Sequence, residues 1–235
     1  MRELREPAIV LALYLVPAIL PGPSAGVVIL DDFTLFRVVL RSAVFGLLLL
    51  YLMETHGDSS HGGVGRGSAG MPRRSAGVSP LVPSALFPSA LFVFAVLLVL
   101  AGATRAVAGL LPVHWGFGSP EMHDRTGGAS PVLLAAALLS VAWVEELLFR
   151  KYLLTRLGQA GLRALFAVPL AAILFAAGHA WQGPEAVVLA CLAGVALGVF
   201  WMRTGRLSAL VLGHGAYNLV ALLITDLESF IFTIL

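Results

Sequence analysis

Seven apolar runs divide the chain. They lie at about residues 7–30, 33–53, 86–111, 131–154, 164–181, 184–202 and 207–225. Each approaches or exceeds the roughly 20 residues that a helix needs to cross a bilayer. None alternates apolar and polar residues as a half-buried strand does. The pattern predicts an all-α protein: a polytopic transmembrane helix bundle of about seven spans, with six to eight as the bounds. The first run holds three prolines in "VPAILPGPSAG", so it is expected to kink or to end near Leu20. Between the second and third runs, residues 54–80 are rich in Gly and Ser without periodicity and read as a flexible loop. A second loop, "PVHWGFGSPEMHDRTGGAS", precedes the fourth run. The resulting division is an N-terminal transmembrane region at 1–130, a core at 131–225 and a tail at 226–235.

Composition agrees. The chain of 235 residues is 59% hydrophobic and 12% charged, where soluble domains carry about 25% charge. A net charge of +2 from scattered rather than clustered arginines argues against nucleic acid as a partner. The bilayer is the expected surrounding. A single cysteine, Cys191 in "AVVLACLAGVAL", excludes an internal disulfide framework and a multi-cysteine metal site. The N-terminus mixes acidic and basic residues and shows no clean small-residue cleavage site, so the first helix is expected to be retained.

Basic residues set an expected orientation. Arg66, Arg73 and Arg74 follow the second run, Arg150, Lys151, Arg156 and Arg163 follow the middle of the fourth, and Arg203 and Arg206 join the sixth to the seventh. Seven crossings starting inside put these clusters on one side and the C-terminus outside. Arg37, Arg41 and Arg105 fit that scheme less well.

The core contains few acidic residues. Glu185 follows Pro184 in the first turn of a helix, where the helix dipole favours a carboxylate. Glu145 and Glu146 instead stand inside an apolar span, where each charge costs about 2.5–3.5 kcal/mol on insertion scales. Arg150 is four residues after Glu146 and can pair with it on one helix face. Glu145, about 100° round the helix, is left without a local partner, which marks it as functional. "LFAAGHAW" sets Phe175 and His179 at i,i+4, and "VLGHGAYNLV" does the same with His214 and Asn218. Singly each histidine would be a packing residue; three spans each contributing a Glu or His group form a set. The other histidines, His56, His61, His114 and His123, fall in the loops and read as solvated. Along the helix axes, Glu145 lies about 18 Å, His179 about 24 Å and His214 about 12 Å from their arginine-bearing connections. Tilt, entry loops or a kink at Pro169 are needed to bring them level.

If the four converge, Glu145 in an apolar pocket suits a general base that takes a proton from water. His179 can hold that water or shuttle its proton. His214 and the Asn218 amide are donors able to stabilise an oxyanion. That equipment hydrolyses a peptide bond. Glu145, His179 and His214 also match a His2Glu zinc set, although the helix-borne H-E-x-x-H motif is absent. The residues alone leave zinc or no cofactor open. "GPSAG" at residues 22–26 meets G-x-S-x-G spacing without the strand that a nucleophile elbow needs. Buried Glu and His also serve proton relays; a proton- or ion-coupled transporter, or a non-catalytic immunity or scaffold protein, is the alternative. No internal repeat of the transporter kind is present.

Three motifs carry a resemblance. "EELLFR" fits E-E-x-x-x-R, "FAAGH" fits F-x-x-x-H and "HGAYN" fits H-x-x-x-N. In this order, over about residues 131–225, they resemble the CPBP family of intramembrane proteases, which includes the type II CAAX prenyl endopeptidases and the bacterial Abi proteins. The resemblance implies an endopeptidase site buried in a helical bundle. Glu145 would activate water with His179, His214 and Asn218 would line the oxyanion site, and Glu146 and Arg150 would support them. It implies a metallo- or glutamate-type protease with a peptide or membrane-anchored protein as substrate. Composition heavy in Ala, Gly, Leu and Arg points to a prokaryotic cell membrane.

Overall fold

The computed structural model describes residues 4–19, 31–57, 83–110 and 129–234. Most of the loop read at 54–80, together with residues 22–26, His61, His114 and His123, lies outside them. Among the described residues there are seven helices and no strand: α1 (Arg5–Ile19), α2 (Asp32–Gly57), α3 (Pro83–Leu110), α4 (Pro131–Gln159), α5 (Ala164–Ala177), α6 (Pro184–Thr204) and α7 (Leu207–Ile234). Helices α2, α3, α4, α6 and α7 are long and apolar enough to cross a membrane, whereas α5 is a shorter apolar helix. This is the expected polytopic helical bundle.

Four boundaries differ from the sequence reading, and helix α4 runs on past 154 to Gln159. Helix α2 runs on to Gly57, which places His56 in a helix and not in the expected loop, and α7 runs on to Ile234. Helix α5 stops at Ala177, not near 181, because Gly178 and His179 turn back onto the Phe175 and Ala176 carbonyls. The chain then makes a 3-10 turn, Ala180–Gln182, and Gly183 at φ 98 launches α6 with Pro184 in its first turn. That φ belongs to the region only glycine enters freely. His179 is thereby carried on a tight turn at the end of a helix, not within one.

Helix α4 is the centre of the bundle. Half of its most apolar window is buried, against 17–28% for the other four long helices. Leu147, Leu148, Phe149, Arg150, Tyr152 and Leu153 are all buried and form a π-helical stretch, Leu147–Leu153, that begins directly after the two glutamates. A helix buried on every side needs neighbours all round it; α2, α5 and α7 pack on α4 and its π segment. Its start is pinned by the Ser130 N–H donating to Asp32 at 2.7 Å. Beside that contact, outside the span, hydrogen bonds from the Thr34 hydroxyl and N–H hold Asp31 below the usual carboxylate range.

Small residues set the helix spacing, as expected where lipid supplies no hydrophobic drive between helices. Gly194 and Gly198 of α6 face Ala172 and Val168 of α5. Gly213 of α7 lies against the Ala90 carbonyl and Val93 of α3, and Gly215 lies against Leu139 of α4. These two glycines flank His214 and let its backbone approach both neighbours. A Cβ at Gly213 would stand 2.6 Å from the Ala90 oxygen. Gly213→Ala is therefore expected to destabilise the protein by about 1–3 kcal/mol through overpacking. Thermal unfolding in detergent checks this; an unchanged midpoint would contradict the packing.

Two of the connecting arginines tie helix ends together. Arg156 of α4 donates to Glu6 of α1 and to the Leu52 carbonyl of α2, both at 3.0 Å. Arg206, just before α7, donates to Ser89 of α3 at 2.7 Å.

Candidate active site

The site forms where α4 changes from α- to π-helix. Such insertions are rare and frequent at functional sites. Glu145 and Glu146 are the last α-helical residues before it. Glu146 is fully buried and takes two partners. Arg150 Nε stands 3.1 Å from its Oε2, and His214 Nδ1 stands 2.8 Å from its Oε1. A ring nitrogen facing a carboxylate at this distance donates its proton, so Nδ1 carries the hydrogen. His214 Nε2 is then turned to Glu145, 3.8 Å from Oε2. One histidine thus spans both carboxylates, and α7 is bound to α4 at the level of the glutamate pair.

Arg150 is 2% exposed, and its Nη1 and Nη2 find no hydrogen-bond acceptor among the described residues. Aromatic faces stand in their place: the guanidinium lies 4.6 Å from the Phe175 ring centroid and 6.0 Å from that of Phe149. Cation–π attraction and the Glu146 carboxylate together compensate the buried charge. The i,i+4 pairing expected for Glu146 and Arg150 is present, and His214 is an additional partner that the spacing within α4 does not reveal.

His179 joins the group through Phe175. Its Nδ1 is 2.9 Å from the Phe175 carbonyl oxygen, one of the carbonyls freed where α5 ends. Nδ1 must donate there, which leaves Nε2 as the acceptor in the neutral ring. The Phe175 ring lies 4.6 Å from the His179 ring and 6.2 Å from the His214 ring, centroid to centroid. Phe175 is thus a neighbour of both histidines. Asn218 is half-buried one turn beyond His214, and no hydrogen bond ties it to the cluster among the described residues.

Glu145 has a partner that the sequence reading did not anticipate. The Tyr14 hydroxyl of α1 donates to its Oε1 at 3.1 Å. Tyr14 is a single hydroxyl within "IVLALYLVPAIL"; its isolation in an apolar run is the one signal that could have marked it.

A His2Glu metal set would need Glu145, His179 and His214 around one point. Among the described residues no group of three His, Cys, Asp or Glu side chains stands close enough to hold an ion. His179 Nδ1 is taken up by the Phe175 carbonyl, and His214 Nδ1 already engages Glu146. These donors as arranged do not fit a shared metal. They do fit a glutamate with one oxygen anchored and the other beside an imidazole.

No curated protein and no solved structure matches the chain. Residues 127–220, the stretch bearing Glu145, Glu146, Arg150, His179, His214 and Asn218, match the family model described as Rce1-like, Type II CAAX prenyl endopeptidase Rce1-like, which bears out the resemblance carried by the three motifs.

Proposed function

We propose that this protein is an intramembrane endopeptidase of a prokaryotic cell membrane, hydrolysing a peptide bond near the bilayer in a membrane-anchored or C-terminal peptide segment. One observation carries the reading. Of two adjacent buried glutamates, Glu146 is taken up by Arg150 and His214, while Glu145 keeps an oxygen turned to the side of His214 where, among the described residues, no close partner holds it. The description of the matched family, a CAAX prenyl endopeptidase, supplies peptide hydrolysis as the reaction class.

In this mechanism Glu145 Oε2 accepts a proton from a water as its oxygen attacks the scissile carbonyl carbon. The carbonyl π electrons move to oxygen, giving a tetrahedral oxyanion. His179 holds the water or passes its proton through the free Nε2. His214 Nε2, near Glu145, can share the abstracted proton and then face the oxyanion as a donor, joined by the Asn218 amide. The proton returns to the leaving nitrogen as the C–N bond breaks. Glu146 and Arg150 hold His214 and do not meet substrate.

The test is cleavage of a lipid-anchored fluorogenic peptide by the protein reconstituted in liposomes, with products identified by mass spectrometry. His179→Ala is expected to lower kcat by about 10²–10⁴-fold, and Glu185→Gln, at the start of α6, to leave it unchanged. Equal activity in His179→Ala and the wild type would count against the reading.

A further inference from the structure

We infer that α1 completes the site, and that the Tyr14 hydroxyl is a positioning group for Glu145. The inference rests on the reading of Glu145 as the base. Tyr14 lies in the N-terminal region, outside the matched segment 127–220.

Four observations carry it. The Tyr14 hydroxyl donates to Glu145 Oε1 at 3.1 Å, across a separation of 131 residues. Its ring is held on two sides, by Phe45 of α2 at 5.5 Å and edge-on by Phe149 of α4 at 5.9 Å. The next residue, Leu15, meets Gly178, beside His179. The start of α1 is tied to α4 independently, since Glu6 accepts from Tyr152 at 2.9 Å and from Arg156 at 3.0 Å.

The spacing of the two ties is informative. Glu6 and Tyr14 are eight residues apart on α1, and Glu145 and Tyr152 are seven residues apart on α4. Two polar contacts at matched spacing dock α1 antiparallel along α4 in one register. A slip of one residue would break both. Tyr14 is therefore aimed at Glu145 by the docking of the whole helix.

The chemistry follows. A carboxylate has two oxygens and rotates about its last bond. A phenol O–H on Oε1 fixes that rotation and leaves Oε2 toward His214, where the base must act. The hydroxyl does not meet the reacting atoms, so its effect falls on turnover more than on binding.

The experiment uses the full chain with Tyr14→Phe, which keeps the ring and removes the hydroxyl. Loss of a hydrogen bond to a charged group predicts a fall in kcat of roughly 10- to 100-fold with little change in KM. A second readout does not depend on turnover: the infrared carboxyl band assigned to Glu145 by its loss in Glu145→Gln is expected to shift in Tyr14→Phe. If Glu145→Gln abolishes cleavage while Tyr14→Phe keeps both the wild-type kcat and the wild-type band, α1 is only scaffold and this inference alone is overturned. If Glu145→Gln cleaves normally, the proposed function falls and the inference falls with it.

Discussion

Glu145→Gln is expected to lower kcat by about 10²–10⁴-fold, the usual contribution of a positioned general base. Glutamine matches glutamate in shape, and its amide oxygen can still accept from Tyr14. What it loses is the ability to take a proton. The protein should accumulate in the membrane and melt near the wild-type temperature, so the loss is chemical. Glu146→Gln should behave differently, since Glu146 meets Arg150 and His214. Its first effect is on stability, and activity falls because His214 is no longer held. Turnover by Glu145→Gln within about threefold of wild type, against the range expected of a general base, would remove Glu145 from the role.

Arg150→Met is expected to destabilise the bundle by about 3–5 kcal/mol, the cost of leaving a buried carboxylate without its ionic partner. Methionine keeps much of the volume beside Phe149 and Phe175, so little of the loss comes from packing. The double variant Arg150→Met with Glu146→Gln should recover part of it, because no uncompensated charge remains. Unfolding in a denaturing detergent across all four proteins gives the coupling. Additive losses would mean that the 3.1 Å contact between Arg150 and Glu146 contributes nothing of its own.

What could be read in advance divides along one line. The all-helical bundle follows from uninterrupted apolar runs, because a bilayer requires apolar helix of a set length, which five of the seven described helices reach. The pairing of Glu146 with Arg150 follows from helical periodicity within one element. Contacts between distant elements do not follow from period or composition. His214 reaches Glu146 across 68 residues, and Gly213 and Gly215 make that approach possible by removing side chains. Tyr14 was unreadable for the same reason, being one hydroxyl in an apolar run whose register on α4 is set by Glu6 some turns away. The π-helical stretch carries no sequence signal, yet it begins at the residue after the glutamates. The two histidines, set on different helices, meet through a shared neighbour, the Phe175 ring.

The most direct measurement of the central claim is single-turnover cleavage of a lipid-anchored peptide in water labelled with heavy oxygen, followed by mass spectrometry of both product and protein. If Glu145 activates a water that attacks the peptide carbonyl, the label enters the new C-terminal carboxylate and Glu145 stays unlabelled. Label in the Glu145 side chain after turnover would show that the glutamate had attacked the carbonyl itself, and would contradict the account.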